Sequence, residues 1–313
     1  MDTPVSDETG LTAREEVEEL ERQLLIAKHR LEALDIDNAV NPPEIPSPRS
    51  RKFPNISNYA SVLTTRIPAA YSSQGHFLFL LSDSALPLGA FAFSSGLESY
   101  QAHKSRPAST SASFASFLPS SLSSYASTTL PFVLSAHRDP LSLAQLDDEL
   151  DAATICTVGR RASVAQGRAL LSIWERSFKT ALTGTVDEEK VAIIQDFATV
   201  LRETKSDEIP LVSAHLGPLF GVICALVGLD LEQTAYIFMM NHVKALISAG
   251  VRASMFGPYQ AQKVLASGNV QQMIQTVIQR EWATPVELAG QAVPMVDLWI
   301  GRHELLYSRI FNS

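Results

Sequence analysis

Residues 12 to 35 carry a regular alternation of hydrophobic and polar positions. Apolar side chains recur there at steps of three and four residues, and charged side chains fill many of the positions between them. The apolar positions are Val17, Leu20, Leu24, Ala27, Leu31 and Leu34. This spacing places them along one face of an α-helix, as in a heptad repeat. The segment predicts either a short coiled coil or an amphipathic helix that packs on its own domain, and the pattern leaves both open.

A proline-rich segment follows this helical pattern. Residues 36 to 58 contain five prolines, each of which lacks a backbone donor and fixes φ. Such a composition is typical of a linker. The sequence therefore predicts three parts: an amphipathic or coiled-coil-like helix over 1–35, a linker over 36–72 and a large helical domain over 73–313.

The predicted domain consists of one helical pattern after another. In the serine-rich stretch over 110–129, for example, Phe114, Phe117, Leu118, Leu122 and Tyr125 recur at helical spacing. The residues over 141–178 suggest a long helix that bends near Gly159 or Gly167. An alternating β pattern of useful length does not occur, nor does a strand–helix repeat. The predicted fold class is all-α, a single large helical bundle.

One window, residues 211 to 231, is almost apolar enough to suggest a membrane span. However, His215, Pro218 and three glycines interrupt it, and its unbroken apolar run is only about half as long as a span requires. We therefore predict a buried core helix that begins near Pro218, because proline is well tolerated in the first turn of a helix.

Composition narrows the function classes. The formal net charge is −8, with Lys and Arg scattered along the chain, which argues against a nucleic-acid-binding surface. Cys156 and Cys224 are the only cysteines, and this suits a reducing compartment. The acidic N-terminus has no apolar run of the kind that a secretory signal contains. We expect a cytoplasmic protein that does not bind membranes.

Catalytic and cofactor signatures are absent from the sequence. It contains no phosphate-binding loop, no dinucleotide fingerprint, no nucleophile elbow and no HExxH or CxxC motif. No two of the seven histidines lie three to five residues apart, so a metal site on one helix is not predicted. His242 suggests a hydrogen-bonded core or interface histidine, and His303 would need ligands from another subunit to bind a metal. We predict no catalytic, cofactor-binding or metal-binding residue, and no enzyme.

The segment over residues 82–99, SDSALPLGAFAFSSGLES, contains turn signals and a helix start. Pro87 and Gly89 predict a bend, and Asp83 can accept backbone donors around it. Ser95 and Glu98 fit the capping-box pattern, in which each side chain accepts from the other residue's backbone N–H. The segment therefore predicts a structural cap at Ser95 and Glu98.

The chain contains the stretches DSALPLGAFAFSSGLESYQ, AHLGPLFGVICALVGL, VKALISAGVRASMFGPYQAQKVL and RHELLYSRIFNS. Together these four stretches resemble the UreF family of urease accessory proteins. DSALPLGAFAFSSGLESYQ is similar to the family's N-terminal signature, although Ala90 stands where many members have glycine. RHELLYSRIFNS is similar to the family's C-terminal ending. Between them, AHLGPLFGVICALVGL and VKALISAGVRASMFGPYQAQKVL resemble two helical segments of the family. The resemblance runs from about Phe77 to Ser313 and does not include the N-terminal helix or the linker.

The resemblance implies a function without catalysis. UreF proteins are all-α, dimeric chaperones that bridge a second accessory protein, UreD (also called UreH), and the GTPase UreG, so that nickel is inserted into apo-urease. It implies that nickel is handled by the complex, that GTP is bound by UreG and that no cofactor is held tightly by this chain. Two alternatives remain: a chain that itself binds nickel or hydrolyses a nucleotide, and a generic helical adaptor that has no role in metal delivery.

The resemblance also implies partner-binding residues. A C-terminal tail over about 300–313 would meet UreD/UreH, and it combines arginine and aromatic side chains, which are common at interface hot spots. The opposing interpretation is that these residues only close the core of the domain. The residues expected to contact partners are Asp83, Ser84, Pro87, Gly89, Tyr259, Gln260, Arg302, His303, Glu304, Tyr307, Ser308, Arg309 and Phe311.

Overall fold

The structure is a computed structural model that describes residues 22, 73–103, 110–182, 188–203 and 210–312. Backbone contacts divide the chain into two units, Met1–Arg66 and Ile67–Ser313. Arg22 is helical. The remainder of the predicted N-terminal helix over 12–35, and the predicted linker over 36–72, lie outside the described residues. The helices named below belong to the second unit.

The described part of this unit contains helices and no strand, which confirms the all-α prediction. Its α-helices are α1 Ser73–Ser82, α2 Leu97–Ala102, α3 Thr110–Arg138, α4 Leu143–Ala153, α5 Thr157–Ile173, α6 Glu188–Glu203, α7 Leu216–Leu226, α8 Leu231–Arg252, α9 Pro258–Leu265, α10 Gly268–Glu281 and α11 Pro294–Arg302. A π-helical turn, Trp174–Phe178, and a last α-helical turn, Lys179–Ala181, extend α5. Short 3-10 turns occur at Ala90–Ala92, Pro140–Ser142, Val286–Leu288 and His303–Leu305.

Helix α3 lies at the centre of the bundle and packs against α7, α8 and α10. Phe117 and Leu122 are buried, as their helical spacing predicts. Pro131 lies inside this helix and cannot donate to the carbonyl of Ser127, four residues earlier. The backbone N–H of Gly290 donates to that carbonyl instead, at 3.0 Å. A distant loop thus satisfies the acceptor that the proline leaves open.

Helix α7 is the predicted core helix. It begins at Leu216, two residues before Pro218, and nearly all of its side chains are buried. A Cβ at Gly221 would lie 2.3 Å from the carbonyl oxygen of Val133 on α3, so only glycine allows this close crossing. No helix in the part of the chain that the structure describes has both the length and the apolar character needed to cross a membrane.

The predicted long helix over 141–178 is interrupted at a different place. It ends at Ala153 and restarts at Thr157, whereas Gly159 and Gly167 lie inside α5. Thr154 has an extended backbone, and its hydroxyl donates to the carbonyl of Leu150 at 2.7 Å. A threonine side chain that bonds to the backbone in this way competes with the continuing helix, and the predicted bend at either glycine is wrong.

Candidate functional site

The segment after α1 forms the predicted bend. Asp83 Oδ1 accepts from the backbone N–H of Ala85 at 2.9 Å, and the Asp83 carbonyl accepts from Leu86 N–H at 3.2 Å. Gly89 adopts φ 72°, a left-handed conformation that favours glycine. The side chains of Asp83, Ser84 and Pro87 are exposed beside this turn. Asp83 therefore has a local structural partner as well as an exposed position.

The predicted capping box at Ser95 and Glu98 is wrong. Ser95 has φ 50°, and the N-cap of α2 is Gly96, which makes no side-chain cap. A serine cap needs an extended backbone to reach the amides of the first turn, and the left-handed Ser95 does not provide it. The N–H of Glu98 approaches Ser94 Oγ instead, at 3.4 Å.

The carboxylate of Glu98 holds the C-terminal tail. Its Oε2 lies 2.8 Å from His303 Nε2, and its Oε1 accepts from the backbone N–H of Ile310 at 2.7 Å. The N–H of Phe311 also donates to Oε2, at 3.2 Å. A single acid of the N-terminal motif thus joins three groups of the C-terminal motif. We call Glu98, His303, Ile310 and Phe311 the tail clamp.

Aromatic and backbone contacts extend the tail clamp. The Phe311 ring is buried, and the guanidinium carbon of Arg252 lies 4.5 Å from its centroid. The same guanidinium carbon lies 5.9 Å from the ring of Phe91, which is 64% exposed. The N–H of Asn312 donates to the Ala92 carbonyl at 2.8 Å. The two motifs that are far apart in the sequence therefore form one surface.

Charged side chains lie outside the tail clamp. Glu304 pairs with Arg161 of α5 and, at 3.1 Å, with Arg309 of the tail. The hydrogen bonds from Arg161 and Arg309 hold the pKa of the exposed Glu304 carboxyl below its usual value. The tail is thus connected both to α2 and to α5.

The structure divides the residues predicted to bind partners into two groups. His303 and Phe311 are buried against the domain, which fits the core-closing interpretation of these two residues, and their contact with a partner stays a prediction. The side chains of Arg302, Glu304, Tyr307, Ser308 and Arg309 are exposed along the docked tail. Tyr259 and Gln260 are exposed at the start of α9, and Gly89 is half-buried. Partner contact by the exposed residues stays a prediction.

The sequence reading missed a buried polar network at the start of α7. Asp147 has no exposed surface, and its carboxylate accepts from the backbone N–H groups of Ser213, Ala214 and His215 at 2.6, 3.0 and 2.6 Å. Asp147 occupies the apolar face of α4 together with Leu143, Leu146 and Leu150. An acidic residue on the apolar face of a helix could have indicated this network, because a buried carboxylate needs hydrogen-bond donors.

The described residues include no group of three or more His, Cys, Asp or Glu side chains that could hold a metal ion. Cys156 is half-buried and Cys224 is buried, and both are free. Within the described ranges, the tail clamp connects the N-terminal and C-terminal sequence motifs, and the surface around it is the candidate functional site.

Comparison with known proteins identifies the family. The UreF family profile matches residues 108–268. The chain is 34% identical over 242 residues to a Schizosaccharomyces pombe protein named as a UreF-like urease accessory protein, which covers 77% of this chain and 98% of that protein. This chain belongs to the UreF family.

Plant and bacterial UreF proteins extend the comparison. The chain is 33% identical over 233 residues to urease accessory protein F of rice, Oryza sativa subsp. japonica, covering 74% of this chain and 82% of the rice protein. It is 29% identical over 237 residues to urease accessory protein UreF of Paenarthrobacter aurescens, covering 74% of this chain and 95% of the bacterial protein. The UreF family consists of urease accessory proteins, a class distinct from the urease catalytic enzyme itself.

Proposed function

We propose that this UreF-family chain bridges UreD/UreH and the GTPase UreG, and thereby helps to insert nickel into apo-urease. The observation that carries the proposal is family membership, because the curated relatives are named as urease accessory proteins. In this proposal nickel is the cargo of the complex, UreG binds the GTP and this chain holds neither tightly. The chain works as a homodimer in the cytoplasm.

The docked tail is the surface that we propose for UreD/UreH. Tyr307 is fully exposed, and Arg302 and Arg309 are exposed beside it. Tyrosine and arginine are among the side chains that most often dominate binding energy at interfaces. The tail clamp supports this role because it fixes the backbone that carries these side chains, which lowers the entropy that binding would otherwise cost.

A double substitution tests this surface without disturbing the clamp. Tyr307→Ala with Arg309→Ala removes two exposed side chains and leaves Glu98, His303 and Phe311 in place. We expect the affinity for co-expressed UreD/UreH to fall at least about tenfold, measured by quantitative co-purification, with the helical circular dichroism unchanged. Deleting residues 302–313 would also remove the buried His303 and Phe311, so the double variant is the sharper probe.

A matched control uses Leu288→Ala with Arg176→Ala, an exposed apolar residue and an exposed arginine outside the tail. This control should co-purify with UreD/UreH as well as the natural chain does. Full co-purification of the Tyr307/Arg309 double variant would place the UreD/UreH surface elsewhere on the molecule.

A further inference from the structure

Four polar side chains from three segments form a continuous hydrogen-bonded chain beside α7. Ser163 Oγ on α5 lies 3.0 Å from His215 Nδ1, and His215 Nε2 lies 2.8 Å from Asp151 Oδ1 on α4. Arg160 binds the same carboxylate with two bonds, at 2.6 and 2.9 Å. His215 has no exposed surface. The order Ser–His–Asp is that of a serine nucleophile, a base and an orienting acid.

The ionisation of Asp151 determines where the protons of His215 and Ser163 lie. Burial alone would raise the pKa of the Asp151 carboxyl, but the hydrogen bonds from Arg160 and His215 outweigh it, so that its pKa lies below the usual value. The ionised carboxylate only accepts, and His215 Nε2 must therefore donate to it. In the neutral imidazole this makes Nδ1 the acceptor. The Ser163 hydroxyl then donates a hydrogen bond to Nδ1, as the hydroxyl of a serine nucleophile does to its base.

Ser163 also lies in the wall of a cavity. The cavity has a volume of ≈ 490 Å³, and near Ser163 its wall includes the apolar side chains of Ala162, Leu216 and Phe220. Ile155, which is 90% exposed, and the exposed Asp83 belong to the same wall, so the cavity reaches solvent. Small-molecule sites are typically clefts of this size, mostly apolar with a few polar groups. The backbone N–H of Leu216 approaches Ser163 Oγ at 3.3 Å and helps to fix its orientation.

We propose that Ser163, His215 and Asp151 form an acyl-transfer site whose substrate is a small ester with an apolar acyl group. Ser163 Oγ forms a bond to the carbonyl carbon and its proton moves to His215 Nδ1. The ester C–O bond then breaks, and the leaving alkoxide takes that proton. Water releases the acyl group by the same route, with the proton again passing through His215. Asp151 is a positioning residue that orients the imidazole, and this activity is separate from the accessory function proposed above.

A second Ser–His pair in the same cavity provides the control. Ser121 Oγ lies 3.1 Å from His242 Nε2, and the His242 ring stacks on Tyr125 with centroids 4.1 Å apart. This finding confirms the predicted hydrogen-bonded histidine. No carboxylate bonds to His242 among the described residues, and burial lowers the pKa of His242 to about 3, so it is a poor base. Ser121 should therefore be inert where Ser163 reacts.

The test is covalent labelling of the full-length natural chain with a fluorophosphonate, followed by peptide mass spectrometry. We expect one label, on Ser163, together with hydrolysis of p-nitrophenyl butyrate above the rate in buffer. Ser163→Ala should abolish both, and Ser121→Ala should leave both unchanged. Asp151→Asn should slow labelling of Ser163 about 100-fold or more. Alkylation of Cys156, which lies in the same wall, should keep its rate and thereby report an intact cavity.

Because the first measurement is made on the natural chain, it does not depend on whether a variant folds. An absence of label on Ser163 in the natural chain would overturn the proposal. Equal labelling of the natural chain and the Ser163→Ala variant would do the same, as would an Asp151→Asn variant whose Ser163 is labelled as fast as that of the natural chain.

Discussion

Glu98 connects the two sequence motifs through a single carboxylate. Its partners are His303 and the backbone N–H groups of Ile310 and Phe311, which lie 205 to 213 residues away in the sequence. Its side chain is only 12% exposed and that of His303 is fully buried. Hydrogen bonds to a charged acceptor are stronger than neutral ones, and a buried donor that loses its acceptor is costly. Glu98 is therefore the residue on which tail docking depends most.

Replacing Glu98 by alanine should release the tail. We expect the free energy of unfolding to fall by about 2 kcal/mol, because three donors lose their acceptor. Trypsin should also cleave after Arg309 faster than in the natural chain. Chemical denaturation and limited proteolysis measure the two effects, and Glu98→Gln, which keeps one acceptor oxygen, should lie between.

Glu287→Ala is the matched control, because Glu287 is an exposed acid in the turn before α11. It should change neither measurement. If Glu98→Ala left both the unfolding free energy and the cleavage rate as they are in the natural chain, the tail would be held by contacts other than the clamp.

At the scale of helices, a capping-box sequence forms a capping box only where the N-cap residue has an extended backbone. A capping box does form at Asp230, where Gln233 N–H donates to Asp230 Oδ1 at 2.7 Å and Asp230 N–H donates to Gln233 Oε1 at 3.1 Å. Asp230 is extended, with φ −75° and ψ 169°. Ser95 and Glu98 fit the same type of pattern, yet Ser95 is left-handed. A four-residue pattern does not specify that backbone, nor a partner supplied from the far end of the chain.

The start of α7 depends on a glycine in α5. A Cβ at Gly167 would lie 2.1 Å from the carbonyl oxygen of Ala214 and 2.6 Å from the carbonyl carbon of His215. These are backbone atoms that Asp147 holds in place through the N–H groups of Ser213, Ala214 and His215. The sequence predicted a bend in the helix near Gly159 or Gly167. The structure explains Gly167 instead as the point where α5 touches the segment that leads into α7.

Gly167→Ala should therefore destabilise the protein by about 2 kcal/mol or more, because the segment over 213–215 cannot move away from the added Cβ without straining its bonds to Asp147. Gly268→Ala, in the first turn of α10, is the control, since nothing lies within 4 Å of its added Cβ. The control should be neutral or slightly stabilising. Urea denaturation of both variants distinguishes them, and an equal midpoint for the two would contradict the close contact.

At the scale of the whole molecule, hydrophobic periodicity predicted the helical bundle well. The apolar face of α3, for example, buries Phe114, Phe117, Leu118 and Leu122, as their helical spacing predicts. The tail clamp could not be predicted in this way, because hydrophobic periodicity indicates which face of a helix is buried. It does not indicate which distant polar group contacts that helix. The burial of His303 and Phe311 shows the same limit, because arginine and aromatic residues occur both at interfaces and in cores.

Family membership shows that the chain is a urease accessory protein. The docked tail is the surface that we propose for binding UreD/UreH. The most direct measurement of the central proposal is urease activity after co-expression of urease, UreD/UreH and UreG, with and without this chain. We expect activity and stoichiometric nickel in urease only when the chain is present, and a loss of both when the Tyr307→Ala and Arg309→Ala double variant replaces it. Full urease activity in the absence of the chain would contradict the proposed role in nickel insertion.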